Sequence, residues 1–252
     1  MMKSICLGIV LCAGLLAQAP PKAAPGKEPP RGPGARPSLM NPGSLHAKAP
    51  EVYKAQFTTT KGDFVVEVHR EWSPNGADRF YNLVRHGFYT DASIFRVVKG
   101  FVIQFGMNAK PAVEAAWQHA NIRDDAVKES NKRGTIVFAT AGPNTRTTQI
   151  FINLGDNSQL DGQGFSPFGT VIQGMDVVDQ FYSGYGDPPR GPDQGLIASQ
   201  GKAYLDKNFP QLDSIKMAKI LVEPKPAGAT SSAPAKKPAA AKPAAKPAAK
   251  TN

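Results

Sequence analysis

Arg96 and Gln104 are the residues of this chain whose type and placement most ask for a chemical explanation. They lie inside the apolar runs Phe95-Arg96-Val97-Val98 and Phe101-Val102-Ile103-Gln104, on either side of Lys99-Gly100. An arginine among strand-forming apolar residues is costly to bury unless it is paired or put to use. A hairpin turning at the glycine presents both side chains on one face, because both positions are even. The chemistry available to such a pair is hydrogen-bond donation from a fixed positive charge, since arginine stays protonated and carries several donors. Other chemistries find no footing. His46, His69, His86 and His119 are isolated, with no HExxH or His-x-His pair, so no metal site is expected. No G-x-S-x-G, phosphate-loop or dinucleotide glycine pattern occurs. Asp124-Asp125 sits in a charged run, Arg123–Arg133, that reads as a solvated surface loop. Hydrolytic, phosphoryl-transfer and redox functions are therefore not signalled.

The elements that must position these residues are mostly strands. Gln56–Thr60 and Asp63–Val68 are β-branched or aromatic runs joined by the turn signal Lys61-Gly62. Further strands are expected at Ile94–Val98, Phe101–Phe105, Gly134–Thr140, Gln149–Asn153, Phe168–Ile172 and Ser214–Val222. Ser73-Pro74 opens a helix as N-cap and first helical residue, with Ala77, Phe80, Val84 and Phe88 on one face. A short helix follows at Met175–Tyr182, and Ala112–Ala120 has helical composition. Many short strands with two clear helices indicate a mainly β barrel or sandwich. Gly142-Pro143-Asn144-Thr145 reads as a turn, Phe168 as core, and Tyr182–Lys202 as a long surface loop rich in Gly and Pro.

The formal charge of the 252-residue chain is +10, but its distribution removes the reading of an evenly basic domain. Residues 20–48 carry +4 and residues 224–252 carry +6, whereas residues 49–223 carry −1. Proline divides in the same way, with 8 in the first flank and 6 in the second. Segments of this composition do not bury enough apolar surface to offset chain entropy. Residues 20–48 are thus expected to be a Pro-rich disordered linker, 49–223 one globular domain, and 224–252 a Lys/Pro/Ala-rich disordered tail. Residues 1–19 hold Lys3 and then an apolar run, Ile5–Ala17, too short to span a bilayer and of signal-peptide length. Ala17-Gln18-Ala19 supplies a cleavage site, and a membrane anchor follows only if the segment stays uncleaved. Cys6 and Cys12, the 2 cysteines, both fall in this segment, so a mature domain has no thiol chemistry. A periplasmic or secreted protein is expected. For such a protein the basic tail suits anionic cell-envelope polymers better than nucleic acid.

Three ordered blocks then carry a resemblance: Phe95–Gln104, Ala141-Gly142-Pro143-Asn144-Thr145 with Gln149–Ile152, and Leu160-Asp161-Gly162 with Phe168-Gly169. In content and spacing, residues 52–222 resemble the cyclophilin-type peptidyl-prolyl cis-trans isomerases. The resemblance implies a closed eight-stranded antiparallel β-barrel capped by two helices, no cofactor, and proline-containing unfolded or folding polypeptides as substrates. It implies that Arg96 is the catalytic arginine with Gln104 beside it. Phe101, Val102, Phe151, Leu160 and Phe165 would form the proline pocket, and Ala139, Thr140 and Gln149 would meet the substrate backbone. Several positions depart from the common pattern. Thr140 replaces a frequent Asn, Val102 a frequent Met, Phe165 a frequent His, and Gln159 a frequent Trp, which bears on cyclosporin binding. A non-catalytic module that holds proline-containing chains is the alternative; retention of Arg96 favours the enzyme.

Overall fold

The computed structural model describes residues 38–221. The expected signal peptide at 1–19, the expected linker up to residue 37 and the expected tail from 224 lie outside the described residues. The elements in chain order are β1 (Val52–Thr59), β2 (Asp63–His69), α1 (Pro74–Arg85), β3 (Arg96–Val98), β4 (Val102–Phe105) and α2 (Pro111–Trp117). They continue with β5 (Thr135–Phe138), β6 (Ile150–Asn153), β7 (Pro167–Gln173), α3 (Met175–Asp179), α4 (Gln194–Gln200), α5 (Lys202–Asn208) and β8 (Ile215–Leu221).

All eight strands join one antiparallel sheet in the order β3-β4-β6-β5-β7-β2-β1-β8. The closed barrel expected from the resemblance is not formed. β3 and β8 are the two edges of an open, curled sheet, and a single bridge, Ser93 to Ser214, spans the gap between them. Ile94 N donates to Asp213 O at 2.8 Å and Ile215 N to Ala92 O at 2.9 Å, but neither strand carries this pairing further. The ladder stops there because the bridge precedes both strands: β3 begins only at Arg96 and β8 at Ile215, and the antiparallel continuation meets the turns at 86–91 on one side and 210–211 on the other. Nor are there two capping helices alone. The stretch expected as a long loop, Tyr182–Lys202, contains α4 and leads into α5.

One face of the sheet holds the main core. Alternation along β1 buries Tyr53, Ala55 and Phe57, and α1 lays Ala77, Phe80, Leu83 and Val84 onto the same cluster. Phe57 stacks on Phe64 with centroids 4.8 Å apart, and Phe168 meets Phe80 and Phe138 at 5.0 and 5.1 Å. These rings form a continuous aromatic centre, and Phe168 is wholly core. A second cluster, Phe95, Met107, Ile197 and Leu205, ties α4 and α5 to the start of β3.

One boundary and one carboxylate differ from the sequence reading. Residues 38–48, assigned by composition to the linker, are packed on the domain. Leu45 is buried, Trp117 Nε1 donates to Leu39 O at 2.7 Å, and the Asn82 side chain bonds both backbone groups of Ala47. The charged run 123–133 is for the most part the exposed loop expected, with Arg123, Asp124, Lys128, Glu129, Lys132 and Arg133 all exposed, but Asp125 and Asn131 turn inward. Ser73 stands at the N-cap of α1 but its hydroxyl makes no cap bond; it donates to Asp125 Oδ2 at 2.6 Å. Asp125 caps the helix instead, accepting from Asn75 N at 3.1 Å and Gly76 N at 3.0 Å. Buried Arg146 pairs with Asp125 at 3.1 Å, so a charge that composition assigns to solvent is internal.

Candidate active site

The β3–β4 hairpin places Arg96 directly opposite Gln104. Gly100, with φ +74°, takes the left-handed backbone the turn requires. β4 pairs with β6 so that Gln104 faces Phe151, and β6 pairs with β5 so that Phe151 faces Val137. Arg96, Gln104, Phe151 and Val137 therefore form a row across four adjacent strands. Their neighbours Val97, Ile103, Ile152 and Ile136 point into the main core on the opposite face. Strand alternation thus separates structure from site: Val102, Val137, Phe151 and Leu160 make a small apolar cluster of their own, flanked by Phe101, Ala139 and Phe165.

A hollow of about 160 Å³ opens on this row, lined by Arg96, Phe101, Val102, Gln104, Ala139, Thr140, Phe151, Leu160 and Phe165. Nine of the ten residues singled out from the sequence meet there. The tenth, Gln149, lines an adjoining hollow of about 410 Å³ together with Gln104, Ala139 and Thr140. Phe151 is 5% exposed and meets Phe165 edge to face at 5.6 Å. Leu160 is buried as well and closes the wall from a short 3-10 turn, Ser158–Gln163. Asp161 anchors that turn, accepting from Ser130 Oγ at 2.6 Å, Asn131 N at 2.8 Å and Asn131 Nδ2 at 2.7 Å. Burial would raise the Asp161 carboxyl, but the bonds from Ser130 and Asn131 outweigh it and hold the group below its ordinary value.

The polar side of the hollow is a chain of hydrogen bonds. Arg96 Nη1 donates to Gln104 Oε1 at 3.1 Å, Gln104 Nε2 to Gln149 Oε1 at 2.8 Å, and Gln149 Nε2 to Gln194 Oε1 at 3.2 Å. Arg96 Nε donates to the carboxylate of Asp187, and its guanidinium carbon stands 5.7 Å from the Phe101 ring centroid. The Arg96 side chain remains 26% exposed, so the cation is oriented without being sealed off. The Thr140 hydroxyl bonds within its own turn, to Gly142 O and Thr145 Oγ1, which leaves its backbone to meet a bound chain. Asp187 and Gln194, at the two ends of the chain of bonds, escaped the sequence reading. They lie in a Gly/Pro-rich stretch with no pattern that marks them. Among the described residues, no three His, Cys, Asp or Glu side chains gather as a cation site requires.

The arrangement offers an apolar pocket beside a fixed donor, with neither a nucleophile nor a proton-transfer pair in the row. Residues 54–197 match the family model described as cyclophilin type peptidyl-prolyl cis-trans isomerase/CLD. Peptidyl-prolyl cis-trans isomerase B of Escherichia coli is 35% identical over 133 residues, covering 49% of this chain and 80% of that protein. A peptidyl-prolyl cis-trans isomerase of Acinetobacter baylyi is 35% identical over 146 residues, covering 54% and 74%. In three dimensions the chain is similar to a cyclophilin type peptidyl-prolyl cis-trans isomerase of Cryptosporidium parvum. The TM-score is 0.52 at 22% identity, over 69% of this chain and 99% of that one, which is a likeness of fold.

Proposed function

The chain belongs to the cyclophilin-type peptidyl-prolyl cis-trans isomerase family, and we propose that Arg96 and the hollow beside it catalyse rotation about X-Pro bonds. The observation that carries this reading is the row Arg96–Gln104–Phe151–Val137, which sets a guanidinium against an apolar wall. An X-Pro amide rotates over a barrier of roughly 18–20 kcal/mol and takes about tens to hundreds of seconds unaided. The barrier is lost conjugation between the nitrogen lone pair and the carbonyl. In the twisted state the nitrogen becomes pyramidal and basic, so a donor fixed there stabilises the transition state more than either planar ground state. Phe101, Val102, Phe151, Leu160 and Phe165 grip the proline ring while the carbonyl side turns. Gln104 holds Nη1, and the Ala139 and Thr140 backbone with Gln149 aligns the peptide. The protein's substrates are proline-containing peptides.

Removing one preorganised charge interaction typically costs about 2.7–4 kcal/mol, or about 10²–10³ in rate. Arg96→Ala is expected to lose that much kcat/KM on an Ala-Pro peptide, measured against wild type in an isomerase assay. Unchanged turnover defeats the assignment, and tight peptide binding without turnover by the wild type favours the binding-module reading.

We further propose that the domain assists folding of exported proteins, on the strength of the signal-like composition of residues 1–19. The 6 lysines of residues 224–252 favour retention near anionic cell-envelope polymers. Cell fractionation tests both: a cytoplasmic, nucleic-acid-bound pool contradicts them, and a salt-releasable envelope pool supports them.

A further inference from the structure

Residues 182–213 bring a carboxylate to the arginine of the site, and the loop that carries it is firmly built. Tyr182 N donates to Asp213 Oδ2 at 2.7 Å, the Tyr185 ring packs on Tyr182 and Phe209, each at 5.0 Å, and Gly191 N closes on Asp187 O at 3.0 Å. A side chain at Gly191 would put its Cβ 2.6 Å from Gly186 O, so the turn accepts only glycine there. On the far side Asp193 caps α4 through Leu196 N at 2.8 Å, and α4 buries Ile197 against Phe95, the residue before Arg96. This packing delivers Asp187 to Arg96 Nε and Gln194 to Gln149, one at each end of the Arg96–Gln104–Gln149 chain of bonds.

We propose that Asp187 is a positioning residue for Arg96, which rests on the reading of Arg96 as the catalytic group. Held at Nε by Asp187 and at Nη1 by Gln104, the guanidinium loses its rotational freedom and keeps Nη2 for the prolyl nitrogen. The Asp187 side chain is 48% exposed, so it is not there to neutralise a buried charge. A half-exposed ion pair adds little to stability, and its worth lies in orientation. Part of the substrate-binding face is therefore supplied by the α4 segment rather than by the sheet.

The test is steady-state isomerase kinetics on an Ala-Pro peptide with the full chain and its variants. Asp187→Ala is expected to lower kcat about fivefold, with KM changed less than about twofold. Asp187→Glu is expected to restore most of the loss, and Asp187→Asn provides an isosteric variant if Asp187→Ala folds poorly. In an Arg96→Ala background the same substitution is expected to have no further effect, because Asp187 acts through the arginine. The Arg96 Nε–H proton resonance is expected to move upfield in Asp187→Ala as its charge-assisted bond is lost. An active wild type with an unchanged or faster Asp187→Ala overturns the proposal, a gain meaning that the carboxylate restrains the arginine. An equal loss in the Arg96→Ala background overturns it too. A wild-type chain without turnover defeats the functional reading, and this proposal with it.

Discussion

Arg96 and Arg146 are two arginines each held by one or two carboxylates, and the molecule treats them in opposite ways. The Arg146 side chain is 4% exposed, bonded to Asp125 at 3.1 Å and within 3.3 Å of Asp124. Its Nη2 also donates to Arg123 O, and Asp125 in turn caps α1. That guanidinium is closed off and serves the fold. The Arg96 side chain is 26% exposed, meets a half-exposed carboxylate and one amide, and faces a hollow. Burial of a cation is thus not the mark of a site. Incomplete enclosure with donors to spare is.

Removing the buried arginine is expected to have the largest effect. Arg146→Met leaves Asp125 buried without its cation, and breaking one partner of such a pair costs about 3–5 kcal/mol. Urea denaturation is expected to show that loss, while the molecules that remain folded keep their kcat. A loss under about 1 kcal/mol would mean that Asp125 is satisfied by Ser73 and the α1 backbone alone. Arg96→Ala is expected to show the converse, its turnover lost as above and its unfolding free energy within about 0.5 kcal/mol of wild type. A smaller effect is expected at the pocket wall. Phe165→Ala removes an edge-to-face contact with Phe151, and such pairs contribute about 0.5–1.5 kcal/mol beyond area. KM for the Ala-Pro peptide is expected to rise about threefold to tenfold with kcat changed less; a fall confined to kcat would place Phe165 in the chemistry instead.

The contrast also explains what the sequence made legible. Arg96 and Gln104 stood out because strand alternation is local, and two polar residues at matching positions around a glycine turn need only the hairpin register to meet. Phe101, Val102, Phe151 and Leu160 came with the resemblance, and the four-strand register brings them together. Arg146 was passed over because its partners lie more than twenty residues away in a run whose charges look solvated. Asp125 caps α1 across a gap of about fifty residues, which no local rule anticipates. α4 and α5 were hidden by the Gly and Pro residues around them, and with them Asp187 and Gln194. The open edge between β3 and β8 depends on where β3 begins, which the apolar run from Ile94 sets too early.

Asp161 allows a finer test, because it is the pocket's counterpart of Asp125. Both carboxylates accept from a serine hydroxyl and from backbone N–H, but Asp161 is held by the neutral donors of Ser130 and Asn131, whereas Asp125 has Arg146. Asn131 Nδ2 also donates to Phe165 O at 2.8 Å, so this junction ties the Leu160 turn to the Phe165 wall. Asp161→Asn turns one acceptor oxygen into a donor facing donors, at a cost of about 1–2 kcal/mol, less than Arg146→Met. The sign of its pH dependence follows from the direction of the shift. Hydrogen bonding holds the folded carboxyl below its ordinary value, so its stabilisation is fully present above the unfolded value near 3.9 and is lost as pH falls through the folded value. The gap between wild type and Asp161→Asn is therefore expected to stay level from about pH 5 to 8 and to narrow below about pH 4, measured by thermal or urea unfolding. A gap that does not narrow in acid would mean that the ionised carboxylate is not what holds the wall, and the parallel between Asp161 and Asp125 would fail.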